Sequence, residues 1–242
     1  MKLFIVVIGV VALWVIITES KSVPAHVLPR PVDMVKSFRP QLLTGAASTT
    51  SRAISGFALG IGLACLLHLF CQSLGLTEYL DTQFAGARAV PMVAILPLFV
   101  IWFGFSEVGR LVLVTLTSAA FFIGPFHESF NVLPAEMILL KRQQRLSTSM
   151  FFWRIVIPGT VSSLLGPLRV CFAISFTIAI ASEYVGAQFG IGKFLDSARV
   201  TFNVPAIFLC IFLASFIGIA CDQIICRVFR RFVHWAGKDA KQ

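Results

Sequence analysis

Two charged residues stand in otherwise apolar sequence in the second half of the chain. Arg169 lies within "LLGPLRVCFAISFTIAIASEY" and Glu183 lies near its end. A charge in hydrocarbon costs several kcal/mol unless it is paired or hydrated. Their fourteen-residue spacing puts them, on one helix, within about 40° of each other and about 21 Å apart. Phe172 and Phe176 fall between them on that face, while Ser175, Ala179 and Ser182 form a second face of small residues suited to helix packing. The chemistry this suggests is non-covalent: the face of Arg169, Phe172, Phe176 and Glu183 borders a path for a charged solute, and a cationic lining would suit an anion. The competing expectation is that Arg169 snorkels to the headgroups and Glu183 closes the outer end of a span.

Covalent chemistry finds no support. The string nearest to a phosphate-binding loop is "GAQFGIGKF", Gly186 to Phe194. It has one residue too many between Gly186 and Gly192, and Phe194 stands where Ser or Thr must hold magnesium. No G-x-S-x-G, H-E-x-x-H or paired-carboxylate arrangement occurs. His26, His68, His127 and His234 are scattered and read as packing or interface residues. Cys65, Cys71, Cys171, Cys210, Cys221 and Cys226 lie in or beside apolar runs without C-x-x-C or zinc spacing, so they read as small buried hydrophobes. The expectation is therefore no catalytic residue, no metal and no cofactor.

The elements that must carry these residues follow from composition. Of 242 residues, 57% are hydrophobic and only 13% charged, against roughly 25% charged in soluble domains. The formal net charge of +9 would suggest nucleic acid in a soluble protein. Here the basic residues lie between apolar runs and in the C-terminal tail, as beside anionic lipid, and no basic, aromatic-interleaved motif occurs. A spanning helix needs about 20 apolar residues. The expectation is an all-α polytopic membrane protein with about six spans: Leu3 to Thr18, Ala53 to Leu76, Val90 to Phe103, Arg110 to Ile123, Val161 to Ala181 and Ala206 to Ile225. Pro91 and Pro97 should kink the third. Residues 1–20 read as a retained anchor helix, with a cleaved signal peptide as the alternative. Residues 21–52 read as a periplasmic segment in which Val32 to Leu43 forms an amphipathic interfacial helix. Residues 53–226 form the transmembrane domain, and 227–242 a basic tail. Six spans put both termini on one side. The tail and the segment with Lys141, Arg142, Arg145 and Arg154 place that side in the cytoplasm by the positive-inside rule. Lys21, Arg30, Lys36, Arg39 and Arg52 run against that orientation.

Four stretches, in order and at matching spacing, carry a resemblance over roughly residues 23 to 235. They are "LPRPVDMV" (Leu28–Val35), "LPLFVIWFGFSE" (Leu96–Glu107), "RIVIPGTVSSLLGPLRV" (Arg154–Val170) and "SEYVGAQFGIGKFL" (Ser182–Leu195). The chain resembles the membrane permease subunit of a bacterial ABC importer of type I, in the branch that handles nitrate, taurine and aliphatic sulfonates. The resemblance implies a cytoplasmic loop between spans four and five, here residues 127–159, that docks on an ATPase subunit. The family's loop reads E-A-A, three residues, Gly, then I-x-L-P. Ile155, Ile157 and Pro158 match. Leu139, Leu140 and Lys141 occupy the E-A-A positions and Arg145 the glycine position, while Glu136 is out of register by three. Leu146, Met150, Phe151 and Trp153 are the apolar anchors available for docking in a groove. Arg145 implies a different turn, because glycine accepts positive φ.

What the resemblance implies is a transport subunit without its own ATPase site. It forms the path for a small anionic or zwitterionic solute and works in the bacterial inner membrane. Its partners are a second permease subunit, cytoplasmic ABC ATPases, a periplasmic solute-binding protein and membrane lipid. The alternatives are a permease-derived subunit of a heteromeric transporter, which the departed E-A-A register keeps open, and a stand-alone channel or secondary transporter.

Overall fold

The computed structural model describes residues 2–20, 23–24, 26–76, 86, 90–131, 150, 154 and 157–233. Among the described residues the chain is all-helical, without strands. The helices are α1 (Lys2–Glu19), α2 (Pro31–Lys36), α3 (Gln41–Ser73), α4 (Met92–Phe103), α5 (Glu107–Asn131), α6 (Ile157–Ser163), α7 (Leu165–Tyr184), α8 (Ile191–Val200) and α9 (Val204–Phe232). Four of them, α3, α5, α7 and α9, are long and apolar enough to cross a membrane, and α4 is a shorter apolar helix.

The spans begin where local chemistry allows. α3 starts at Gln41, twelve residues before the expected Ala53. The added segment is rich in small and hydroxyl residues, whose side chains bond back to their own helix. Thr44 Oγ1 donates to the Gln41 carbonyl at 2.8 Å and Thr50 Oγ1 to that of Ala46 at 2.8 Å. Hydroxyls satisfied this way ride inside a helix without needing water. The expected interfacial helix from Val32 to Leu43 is correspondingly short: α2 ends at Lys36, with Pro31 in its first turn. Pro91 does not kink α4 but stands at its N-cap, while Pro97 lies inside it and Pro125 inside α5.

The described chain forms two compact units, Met1–Thr50 with Ile180–Ile217, and Ser51–Ala179 with Gly218–Gln242. In the first, Leu42, Ala46, Ile191 and Cys210 make a buried core bordered by Phe194, Leu209 and Leu213. Trp14 of α1 stacks on Phe212 with ring centroids 5.6 Å apart and donates Nε1–H to the Pro29 carbonyl at 3.2 Å. Proline 29 of "LPRPVDMV" is itself fully buried. In the second unit, Ala64, Ala119, Phe122, Ile123, Leu164 and Cys171 form the core. α3 and α5 approach closely there, because Gly56 faces Val114 and Gly60 faces Ser118. Ser118 and Ser175 join α5 to α7 by a hydroxyl pair at 2.6 Å. Small residues and interhelical polar pairs are how helices associate where lipid gives no hydrophobic drive.

A Cβ at Gly60 would come within 2.6 Å of the Thr115 carbonyl oxygen, whereas one at Gly62 meets nothing within 4 Å. Gly60→Ala is expected to lower stability by about 1–3 kcal/mol through overpacking. Gly62→Ala should be neutral or gain up to about 1 kcal/mol. Unfolding of the two variants in mild detergent checks this; equal losses at both positions would contradict the packing described.

Candidate functional site

The fold surrounds the charges in apolar sequence with specific partners. Arg169, one turn into α7, meets Asp222 of α9. Its Nε donates to Oδ1 at 2.6 Å and its Nη2 to Oδ2 at 2.8 Å. This two-point fork fixes both side chains and leaves the pair with no net charge. The side chains remain 48% and 34% exposed on this single chain, so the pair reaches the surface of its unit rather than its core. Phe172 and Phe176 are buried nearby in sequence, at 3% and 7% exposure. They stack with centroids 6.2 Å apart, and Phe172 packs edge-on against Phe57.

A second ionic group lies in the same unit. Arg52 of α3 donates to Glu107 Oε2 through Nε at 3.0 Å and Nη2 at 2.6 Å, and Arg110 of α5 donates to Oε1 at 2.8 Å. Both arginine side chains are nearly buried, at 6% and 7% exposure, while the shared carboxylate is 64% exposed. Glu107 ends the "LPLFVIWFGFSE" stretch, so the structure gives that motif a role: its acid is a clamp for two arginines.

Glu183 belongs to the other unit and is fully buried. Its Oε2 accepts from Thr49 Oγ1 at 2.8 Å and from the backbone N–H of Gly192 at 3.0 Å. Thr49 Oγ1 in turn accepts from the Ile191 N–H at 2.9 Å. The carboxylate thus latches α3 to the start of α8. The glycines of "SEYVGAQFGIGKFL" are what make room for it. A Cβ at Gly190 would run into the Glu183 carboxyl, and one at Gly192 would meet the Ile180 carbonyl and the Glu183 Cβ. Gly190 also has φ 134°, a conformation that L side chains rarely adopt.

Arg169 and Glu183 therefore have separate partners. The structure brings Arg169 to Asp222, Phe172 to Phe176, and Glu183 to Thr49. It buries Ser175, Ala179 and Ser182, the face of small residues. Asp222 had a signal in sequence, as the sole acid in the run Ala206 to Ile225; Thr49 had none, being one hydroxyl among several. Arg110, three residues after Glu107, had the i,i+3 spacing of a helical ion pair. His68 and His127, fifty-nine apart in sequence, are brought together with Nε2 and Nδ1 3.2 Å apart. Of the loop residues, Ile157 and Pro158 start α6, where the Pro158 carbonyl accepts from Ser162 Oγ at 2.7 Å, and Met150 is exposed. Leu139, Lys141, Arg145, Leu146, Phe151, Trp153 and Ile155 lie outside the described residues.

Comparison with known proteins covers most of the chain. The family described as binding-protein-dependent transport system inner membrane component matches residues 56–234. A protein of Bacillus subtilis named as the aliphatic sulfonates transport permease SsuC is 28% identical, covering 93% of this chain and 84% of its own. The taurine transport system permease protein TauC of Escherichia coli is 26% identical, over 80% and 70%. Among solved structures, a chain of an amino acid ABC transporter aligns with TM-score 0.62 at 14% identity, over 84% of this chain and 97% of its own. A chain of the MetNI methionine ABC transporter aligns with TM-score 0.59 at 14% identity, over 81% and 96%.

Two outcomes follow from the site. A double-mutant cycle of Arg169→Ala and Asp222→Ala in detergent should read a small favourable coupling, as for a forked ion pair at the surface of its unit; a coupling indistinguishable from zero would show that the fork carries no weight. Glu183→Ala should cost about 1–3 kcal/mol for each donor it strands, while Glu183→Gln, which keeps an acceptor oxygen, should cost less. Equal losses for Ala and Gln would show that the hydrogen bonds to Glu183 carry no weight.

Proposed function

This chain belongs to the binding-protein-dependent transport system inner membrane component family, and from that premise we propose that it forms the translocation path of an ATP-driven importer for a small sulfonate-like solute. It is a multi-pass membrane protein. The observation that carries the proposal is the family match over residues 56–234, which takes in all or most of each of the four long apolar helices. The names of the relatives, for aliphatic sulfonates and taurine, support an anionic or zwitterionic cargo.

In this reading α1 and α4 complete six spans with α3, α5, α7 and α9, and both termini are cytoplasmic. Two such subunits pair, and the loop 127–159 rests on a cytoplasmic ATPase. A periplasmic binding protein hands solute to the outer face. The permease does no covalent chemistry. Closure of the ATPases moves the helices as rigid bodies, and the ends of the path open in turn. Arg169 borders that path, while Phe172, Phe176 and Glu183 are buried within their units and act on it through packing. The ion pair with Asp222 supports Arg169 in this role, because an approaching anion can exchange with the carboxylate without stripping the arginine bare. The buried partners of Glu183 support a positioning role for it at the outer end of α7.

The departure of Leu139 and Arg145 from the family's loop favours a second reading, in which the chain pairs with a different, orthodox permease. Restoring the pattern with Leu139→Glu and Arg145→Gly should leave uptake intact or raise it if the loop docks in the usual way. Loss of uptake would show that the loop couples by its own geometry.

The direct experiment reconstitutes the chain in liposomes with its ATPase and binding protein and follows labelled taurine or an alkanesulfonate. Uptake should require ATP and the binding protein. Uptake that persists without the ATPase would identify a channel or secondary transporter instead. Normally expressed Arg169→Ala and Glu183→Gln variants should transport at least several-fold more slowly; unchanged rates would remove these residues from the path.

A further inference from the structure

The first unit holds a cavity of about 230 Å³, lined by residues of the segment before α3, of α8 and of the start of α9. Its lining is of two kinds. Leu42, Phe194 and Leu209 give an apolar wall, and Arg39 and Asn203 stand among its polar members. Phe194 is held in place from behind, since its ring packs so closely on Gly45 that a Cβ there would lie 2.9 Å from it.

The charge balance of this unit leaves Arg39 without a counter-ion. The acids within its two segments are Glu19, Asp33, Glu183 and Asp196. Glu19 pairs with Arg30, Asp33 with Lys36, and Asp196 with Arg199. Glu183 is buried against Thr49 and Gly192. Among the described residues the Arg39 side chain has no hydrogen-bond or ion-pair partner. Asn203 is oriented as a donor. Its Oδ1 accepts from the Ala206 N–H at 3.2 Å, which leaves the amide Nδ2–H groups to give. A guanidinium matches oxyanions by its planar fork of donors, and the apolar wall beside it suits a hydrocarbon chain.

We propose that this cavity binds an anionic amphiphile, with a sulfonate- or phosphate-type head held by Arg39 and Asn203 and a short apolar tail against Leu42, Phe194 and Leu209. The site stands on the geometry of this unit alone and does not depend on the chain transporting such a molecule. The first turns of α3 and α9 that form it are the beginnings of two membrane-crossing helices. A lipid with a phosphate headgroup and a free alkanesulfonate therefore share the required chemistry.

The test uses the whole chain purified in a neutral maltoside detergent. Titration calorimetry is run with hexanesulfonate, with dihexanoyl phosphatidylglycerol, and with hexanol as the uncharged control. At least one of the anions should bind, one per chain, and hexanol should bind far more weakly. Arg39→Gln should weaken the anion by about tenfold or more, the scale of a hydrogen bond to a charged group. Arg39 is exposed, so the variant should keep its melting temperature. Ala206→Leu, which adds bulk to the lining without changing charge, should weaken binding as well. Binding of hexanesulfonate alone identifies a free anion as the occupant, and binding of the phospholipid alone identifies a lipid. Absence of binding by both anions, equal binding of hexanol, or unchanged affinity in either Arg39→Gln or Ala206→Leu would overturn the proposal.

Discussion

A polar group inside a bilayer has no water to turn to, so every one must be satisfied by the protein itself. That constraint shapes most of the polar contacts of this structure, although Thr160 Oγ1 is buried without a hydrogen-bond partner among the described residues. Hydroxyls in α3, α5 and α7 bond to their own helix. Arg169 and Asp222 neutralise each other. Two arginines share Glu107, and Glu183 is enclosed by Thr49 and the backbone of Gly192. Helices that are apolar on all sides have little reason to choose one register over another. The polar pairs favour one register, because each joins two particular positions within its unit.

The glycines serve the same end. Gly56 and Gly60 let α3 approach α5 closely enough for its neighbours to pack, and Gly190 and Gly192 leave space for a carboxylate that a side chain would fill. The stretches that carry the family resemblance thus have physical content apart from it. "WFGFSE" ends in the acid that holds Arg52 and Arg110, and "SEYVGAQFGIG" supplies both the acid and the glycines of the latch. "LPRP" buries Pro29 and offers its carbonyl to Trp14.

Much of the architecture was legible in the residues. The all-helical character and the apolar runs followed from composition and from run length. The helix ends were less legible. The early start of α3 was hidden because threonine and serine read as polar in sequence, yet satisfy themselves on a helix. The same limit applied to the sites. Periodicity put Arg169, Phe172, Phe176 and Glu183 on one face, but their partners Asp222, Thr49 and Phe57 come from other helices. No spacing along one helix reveals which other helix it meets. Arg52 was read as one of several loop cations, because its partner lies fifty-five residues away.

The family is that of membrane components of binding-protein-dependent transport systems. The most direct test is therefore to purify the chain from its native membrane under mild conditions and identify its stoichiometric companions. A cytoplasmic ABC ATPase and a second membrane subunit, either this chain or an orthodox permease, should co-purify. A stable, transport-competent chain that purifies with no ATPase would contradict this.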